Sequence, residues 1–298
     1  MNVAVTGATG LIGSALVAAL EARGHQVVRL VRRAPKFPTD RHFDPLVSAL
    51  DEGALEGFDA VIHLAGETIA QRWTKGAKER IWRSRVVGAH MLVRAISKLE
   101  RRPKVFISAS AVGYYGPRDD EVITEEEGPG TGFLARLCQE WEEATAAASQ
   151  LGVRVAVARL GIVLSAKGGA LGRMLPLFRR GLGAVLGSGE QYVSWVAIDD
   201  VVDAFLWLLE REDMSGPFNV TAPEPVRFKE LAQTLARVLG RPAFLRVPAP
   251  LLLLLMGEMA KEALLSGQRV VPQRLTSAGF QFRFPQLEGA LRHLLGQP

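Results

Sequence analysis

The chain has 298 residues, 48% of them hydrophobic, a formal net charge of +5 and a single cysteine, Cys138. That is enough apolar material for a full core in one large or two modest domains. A lone cysteine excludes an intrachain disulfide and fits a reducing, cytoplasmic setting. The basic residues are spread along the chain, so nucleic acid is not expected as a partner. The longest apolar run, around residues 251–256, is flanked by Pro248, Pro250, Gly257 and Glu258. It is too short to span a bilayer, and no membrane partner is expected.

The chain opens MNVAVTGATGLIG. Val3, Ala4 and Val5 read as a buried parallel strand. Gly7, Gly10 and Gly13 follow in a G-x-x-G-x-x-G pattern, with Thr9, Leu11 and Ile12 between them. Residues 11–23 then read as an amphipathic helix closed by Gly24. Strand, glycine turn and helix N-terminus together make a site for a dinucleotide pyrophosphate. The second strand, 26–31, ends in Arg32 and Arg33, where an NAD-binding fold carries an acid for the ribose 2′-hydroxyl. Two guanidiniums there suit a 2′-phosphate, so NADP (NADPH) is favoured over NAD. The alternative is a pair of solvated arginines.

Residues 41–43 are a candidate third strand. Residues 58–64 form the fourth, and Leu64, Ala65 and Gly66 at its end are expected to let the cofactor approach the backbone. Glu67 follows as a residue aimed at the crevice, or as a simple turn cap. Residues 75–98 are helical with a bend near Gly88. The fifth strand, 104–108, runs into ASAVGYYG, which puts Ser108 and Ser110 at the same sheet edge as the glycine loop. A surface loop covers 118–131, a helix 132–150 and a sixth strand 153–159. Alternating strands and helices predict an α/β chain with a Rossmann-type doubly wound parallel sheet.

Beyond residue 163 come a substrate-side excursion with a helix over 170–180, a strand at 194–198, a helix at 199–211 and a short β segment at 218–221. Helices follow at 228–239 and across most of 248–266, where the leucines of 251–255 read as core or a homodimer face. The final helix is 286–295. The expected division is a dinucleotide-binding domain over 1–223, with its excursion at about 165–194, and a smaller, mostly helical region over 224–298.

The runs TGATGLIG, DAVIHLAG, FISAS, YG and WVAIDDVVDA resemble the extended short-chain dehydrogenase/reductase superfamily. SASAVGYYG, RLGIVLSAKGGAL and GQRVVPQRL narrow the resemblance to an atypical, NAD-dependent epimerase/dehydratase-like branch of epimerase family proteins. Some members of that branch carry a cell-division-inhibitor label, and members end in a small module of undefined function, here about 249–295. The resemblance implies a Ser, Tyr, Lys set, with tyrosine moving a proton and lysine holding the nicotinamide ribose. Ser110 matches the serine. The helix that should open with Tyr-x-x-x-Lys reads GFLARLCQEWEEA, which puts Leu134 and Cys138 at those two positions. Arg85 stands where the superfamily has asparagine.

Three readings follow. The first is an NADP-dependent oxidoreductase on a small molecule with relocated acid–base groups, Tyr114 and Tyr115 being candidates beside Ser110. Glu67, Arg85, Tyr192 and Trp195 are its candidate substrate contacts. The second is a non-catalytic NADP(H)-binding sensor or scaffold. The third is a sugar-nucleotide epimerase or dehydratase, which the missing tyrosine pair disfavours.

Overall fold

The computed structural model describes residues 1–33, 35, 37–51 and 53–297. Its strands are β1 (Asn2–Thr6), β2 (Gln26–Val31), β3 (Asp40–Asp44), β4 (Ala49–Leu50), β5 (Ala60–His63), β6 (Val105–Ala111), β7 (Val122–Ile123), β8 (Arg154–Leu160), β9 (Ile162–Ser165), β10 (Ala184–Leu186), β11 (Tyr192–Val193), β12 (Trp195–Ala197), β13 (Gly216–Val220), β14 (Val226–Arg227), β15 (Leu245–Val247) and β16 (Arg269–Val270). Its α-helices are α1 (Leu11–Ala22), α2 (Lys75–Trp82), α3 (Gly88–Ser97), α4 (Phe133–Ala146), α5 (Gly169–Arg179), α6 (Ile198–Glu210), α7 (Phe228–Val238), α8 (Ala249–Met256), α9 (Gln273–Ser277) and α10 (Leu287–Leu294). A π-helical turn, Arg83–Val87, joins α2 to α3 just before Gly88.

Eight strands form one sheet in the order β13-β8-β6-β5-β1-β2-β3-β4. All neighbours are parallel except the edge pair β3–β4. The pleat sends successive side chains to opposite faces. Val3, Val5, Ile62 and Ile107 join Leu16 and Leu20 of α1 and Phe205 of α6. Ala4, Val61 and Phe106 join Leu92 and Ile96 of α3 on the other side. Both faces are covered, which explains why these strands are apolar throughout rather than alternating. The chain first builds outward from β1 to β4, then crosses to β5 and builds the other way. That reversal opens a crevice beyond the C-terminal ends of β1 and β5.

A second core joins Trp195 and Val193 to α5, α7 and α10. Two segments differ from expectation, and the leucine run, read as core or a homodimer face, is not core. The 41–43 strand is longer and carries the hairpin partner β4. The 118–131 loop contains β7, which pairs with β16 of the C-terminal region. In the leucine run only Leu252 is buried, while Leu251, Leu253, Leu254 and Leu255 are exposed. An unbroken run of leucines has no periodicity from which to read the buried face. Among the described residues no helix is long and apolar enough to cross a membrane.

Candidate functional site

The floor of the crevice is made of backbone. Gly7 sits at φ +66°, a region that favours glycine. A Cβ there would lie 2.7 Å from the Leu64 carbonyl, and one on Gly13 would lie 2.1 Å from the Gly7 oxygen. Close packing of β1, β5 and α1 therefore excludes side chains at both positions. Gly10 is the N-cap of α1 and brings no side chain to its first turn. The first-turn amides of Leu11, Ile12 and Gly13 have no intrahelical partners, and this end of the helix suits a phosphate. The cradle fits a dinucleotide pyrophosphate.

Thr6 fastens the two strand ends together. The Leu64 and Ala65 amides each donate to its hydroxyl oxygen at 3.1 Å. Its own proton is therefore free to go to His63 Nδ1, 2.8 Å away. His63 is wholly buried, and desolvation pulls its pKa down to about 4, so the imidazole is neutral. At the end of β2, Arg32 and Arg33 are both exposed. Arg32 reaches across to Glu67, 3.4 Å away. Glu67 thus faces the arginine end of the crevice instead of standing free over the nicotinamide end.

Arg85 is set by the π-helical turn, a feature that often marks functional sites. Its Nη1 donates to the Glu67 carbonyl at 2.9 Å and to the Ile81 carbonyl at 3.3 Å. The guanidinium lies over the Trp141 ring, 5.4 Å from its centroid. A Cβ on Gly66 would come within 2.9 Å of Nη2, so glycine there leaves room for the cation. Burial pulls Arg85 down to about 10, with Cys138 and Glu67 opposing.

Leu134 and Cys138, one turn apart on α4, both border Gly113: a Cβ there would be 3.3 Å from Leu134 Cβ and 4.0 Å from Cys138 Sγ. Burial pushes the Cys138 thiol up to about 11, with the Glu142 charge adding to it. One turn further along, Glu142 accepts the Ser110 hydroxyl at 2.6 Å. Arg159, in register with Ser110 on the neighbouring strand, holds the same carboxylate by three bonds of 3.0, 3.3 and 2.8 Å. Burial works against the Arg159 charge, but its bonds to Glu142 outweigh it and raise the pKa. Arg159 also donates to the Tyr115 hydroxyl at 2.9 Å, and Tyr115 donates to Asn219 at 2.7 Å. Tyr115 is fully buried, and burial pushes it up to about 12. Tyr114 lies under the Arg159 guanidinium, 3.6 Å from ring centroid to carbon.

Of the residues singled out from sequence, the structure gathers Gly7, Gly10, Gly13, Leu64, Ala65 and Gly66 around one crevice end, and Ser110, Arg85, Tyr114 and Tyr115 around α4. Ser108 is buried, its hydroxyl donating to the Ala109 carbonyl at 3.0 Å. Trp195 is buried, its indole donating to the Glu224 carbonyl at 2.9 Å. Tyr192 lies between Arg227 and Arg269. Sequence reading passed over Glu142 and Arg159. The 134/138/142 spacing on one helix face was the available signal. It also passed over Glu262, whose carboxylate accepts the Phe133 and Leu134 amides at 3.0 and 3.1 Å. The C-terminal region thereby caps the N-terminus of α4.

The NAD dependent epimerase/dehydratase family matches residues 3–221, and a domain of unknown function (DUF1731) matches residues 247–294. Epimerase family protein Mb2239 of Mycobacterium bovis is 45% identical over 99% of this chain and 98% of its own. Human epimerase family protein SDR39U1 is 36% identical over 99% of this chain and 100% of its own. A crystal structure of that human protein (isoform 2) with NADPH superposes with a TM-score of 0.90 at 33% identity, covering 100% of both chains. With its nucleotide cradle, parallel sheet and C-terminal module all matched, the chain belongs to the NAD dependent epimerase/dehydratase family.

Proposed function

We propose that this protein is an NADP(H)-dependent oxidoreductase acting on a small alcohol or carbonyl compound, with Ser110 and Glu142 doing the proton transfer that a tyrosine performs elsewhere in the superfamily. The observation that carries the reading is the 2.6 Å bond from Ser110 to Glu142, one helical turn from Cys138. When bound, the nicotinamide supplies or accepts hydride. In the oxidising direction Ser110 Oγ accepts the substrate hydroxyl proton while its own proton passes to Glu142. Arg159 fixes both carboxylate oxygens by hydrogen bonds and so orients the relay. Arg85, beside Cys138, contributes the cation that lysine would supply. Arg32 and Arg33 select the 2′-phosphate, and the NADPH in the human relative's structure supports that choice.

A second reading, a non-catalytic NADP(H)-binding protein, is favoured by Leu134 and Cys138 at the tyrosine and lysine positions. One experiment separates the two: titrate NADPH and NADH, then follow NADPH oxidation against a panel of carbonyl compounds and nucleotide sugars. Turnover that Ser110→Ala abolishes, with NADPH binding kept, supports the relay. Tight binding without turnover on any compound selects the second reading.

A further inference from the structure

We propose that the surface around α8 and β15 docks peripherally on an anionic lipid bilayer. Phe244 is 73% exposed and Leu254 74% exposed. Leu251, Leu253, Leu254 and Leu255 of α8 are all exposed, and of this run only Leu252 turns inward. The elements that carry these side chains adjoin. β15 pairs with β10, Gly181 backs onto Pro242, and α8 starts immediately after Pro248. Exposed apolar groups gathered in this way mark an interaction surface.

Charge identifies the occupant. Arg179, Arg180, Arg241 and Arg246 are all exposed on the same stretch. The side chains of Arg179, Arg180 and Arg241 make no hydrogen bond or ion pair among the described residues. The neighbouring acid Glu190 is held by Lys229 at 2.6 Å and lies 3.6 Å from Arg227. Glu258, just past α8, pairs with Lys78. The surface therefore presents leucines and an aromatic ring beside the unpaired guanidiniums of Arg179, Arg180 and Arg241. A second copy of the chain would bring like charges together across a two-fold contact. An anionic bilayer offers phosphate to the arginines and acyl chain to the leucines, the combination by which interfacial segments bind. No part of this requires a spanning segment, whose absence underlies the expectation of no membrane partner.

The test is flotation of the full chain with vesicles of phosphatidylcholine alone and of phosphatidylcholine mixed with phosphatidylglycerol, at low and high salt. The expected result is binding to the mixed vesicles only, weakened by salt. It should fall at least about tenfold in Leu254→Glu/Leu255→Glu and in Arg179→Glu/Arg180→Glu/Arg241→Glu, with melting temperatures unchanged because every altered side chain is exposed. Failure to float with anionic vesicles overturns the proposal. So does equal binding by the variants. Concentration-dependent dimers in light scattering that Leu254→Glu converts to monomers, without vesicle binding, assign the surface to a second copy instead.

Discussion

The two ends of the crevice are built from different materials. At the glycine end the contacts are backbone to backbone, and a single added methyl at Gly7 or Gly13 collides with main chain. At the α4 end the contacts are side chain to side chain, running from Ser110 through Glu142 and Arg159 to Tyr115 and Asn219. Backbone packing leaves one solution, which is glycine. A side-chain network can be rebuilt from other positions on other elements. The family relationship is thus compatible with an intact nucleotide cradle and a rearranged set of polar groups beside it.

The sharpest way to break this contrast is Arg159→Met. It strands the Glu142 carboxylate, 14% exposed, without its cation. Loss of a buried partner should cost about 3–5 kcal/mol in chemical denaturation while NADPH affinity is kept. A loss under about 1 kcal/mol would show the pair to be solvent-screened. Next is pH. The folded chain keeps His63 neutral down to about pH 4, whereas an unfolded histidine protonates near 6.5. Its folded pKa is depressed, so its contribution is complete above about pH 6.5 and is lost as pH falls toward 4, by roughly 3 kcal/mol. Urea midpoints across that range should show the loss, and a His63→Asn variant should show less of it.

Gly13→Ala should cost about 1–3 kcal/mol and weaken NADPH and NADH alike, because the clash is with the cradle itself. Thermal melts and dinucleotide titrations check both parts, and a selective loss of NADPH alone would contradict it. Arg32→Ala with Arg33→Ala should do the reverse: roughly tenfold weaker NADPH, about 1.4 kcal/mol, with NADH and stability unchanged. Equal losses for both dinucleotides would remove the 2′-phosphate assignment. Smallest is Glu262→Ala, which takes the cap from α4 and should cost about 1 kcal/mol in a melt, with NADPH binding kept.

What sequence made legible follows the same division. The glycine pattern and the order of the main strands were readable, because turns and apolar runs act locally. Ser110 was readable through its resemblance. Its partners were not: Glu142 lies in the run EWEE, which reads as a solvated helix face, and Arg159 joins it only when two separate elements pack. Tyr114 and Tyr115 were placed by type near the crevice. The fold then stacks one beneath a guanidinium and buries the other. Glu67 could not be assigned to Arg32 before β2 and β5 were seen on either side of β1.

The Glu262 carboxylate at the start of α4 has a consequence for any anionic substrate. It is a ligand on a tether, held at its site by the chain at an effective concentration on the order of millimolar or above. A free carboxylate or phosphate seeking the same two amides must compete with it. Whatever displaces Glu262 also loosens the C-terminal module from α4, so occupancy of the site and the seating of the module are thermodynamically linked.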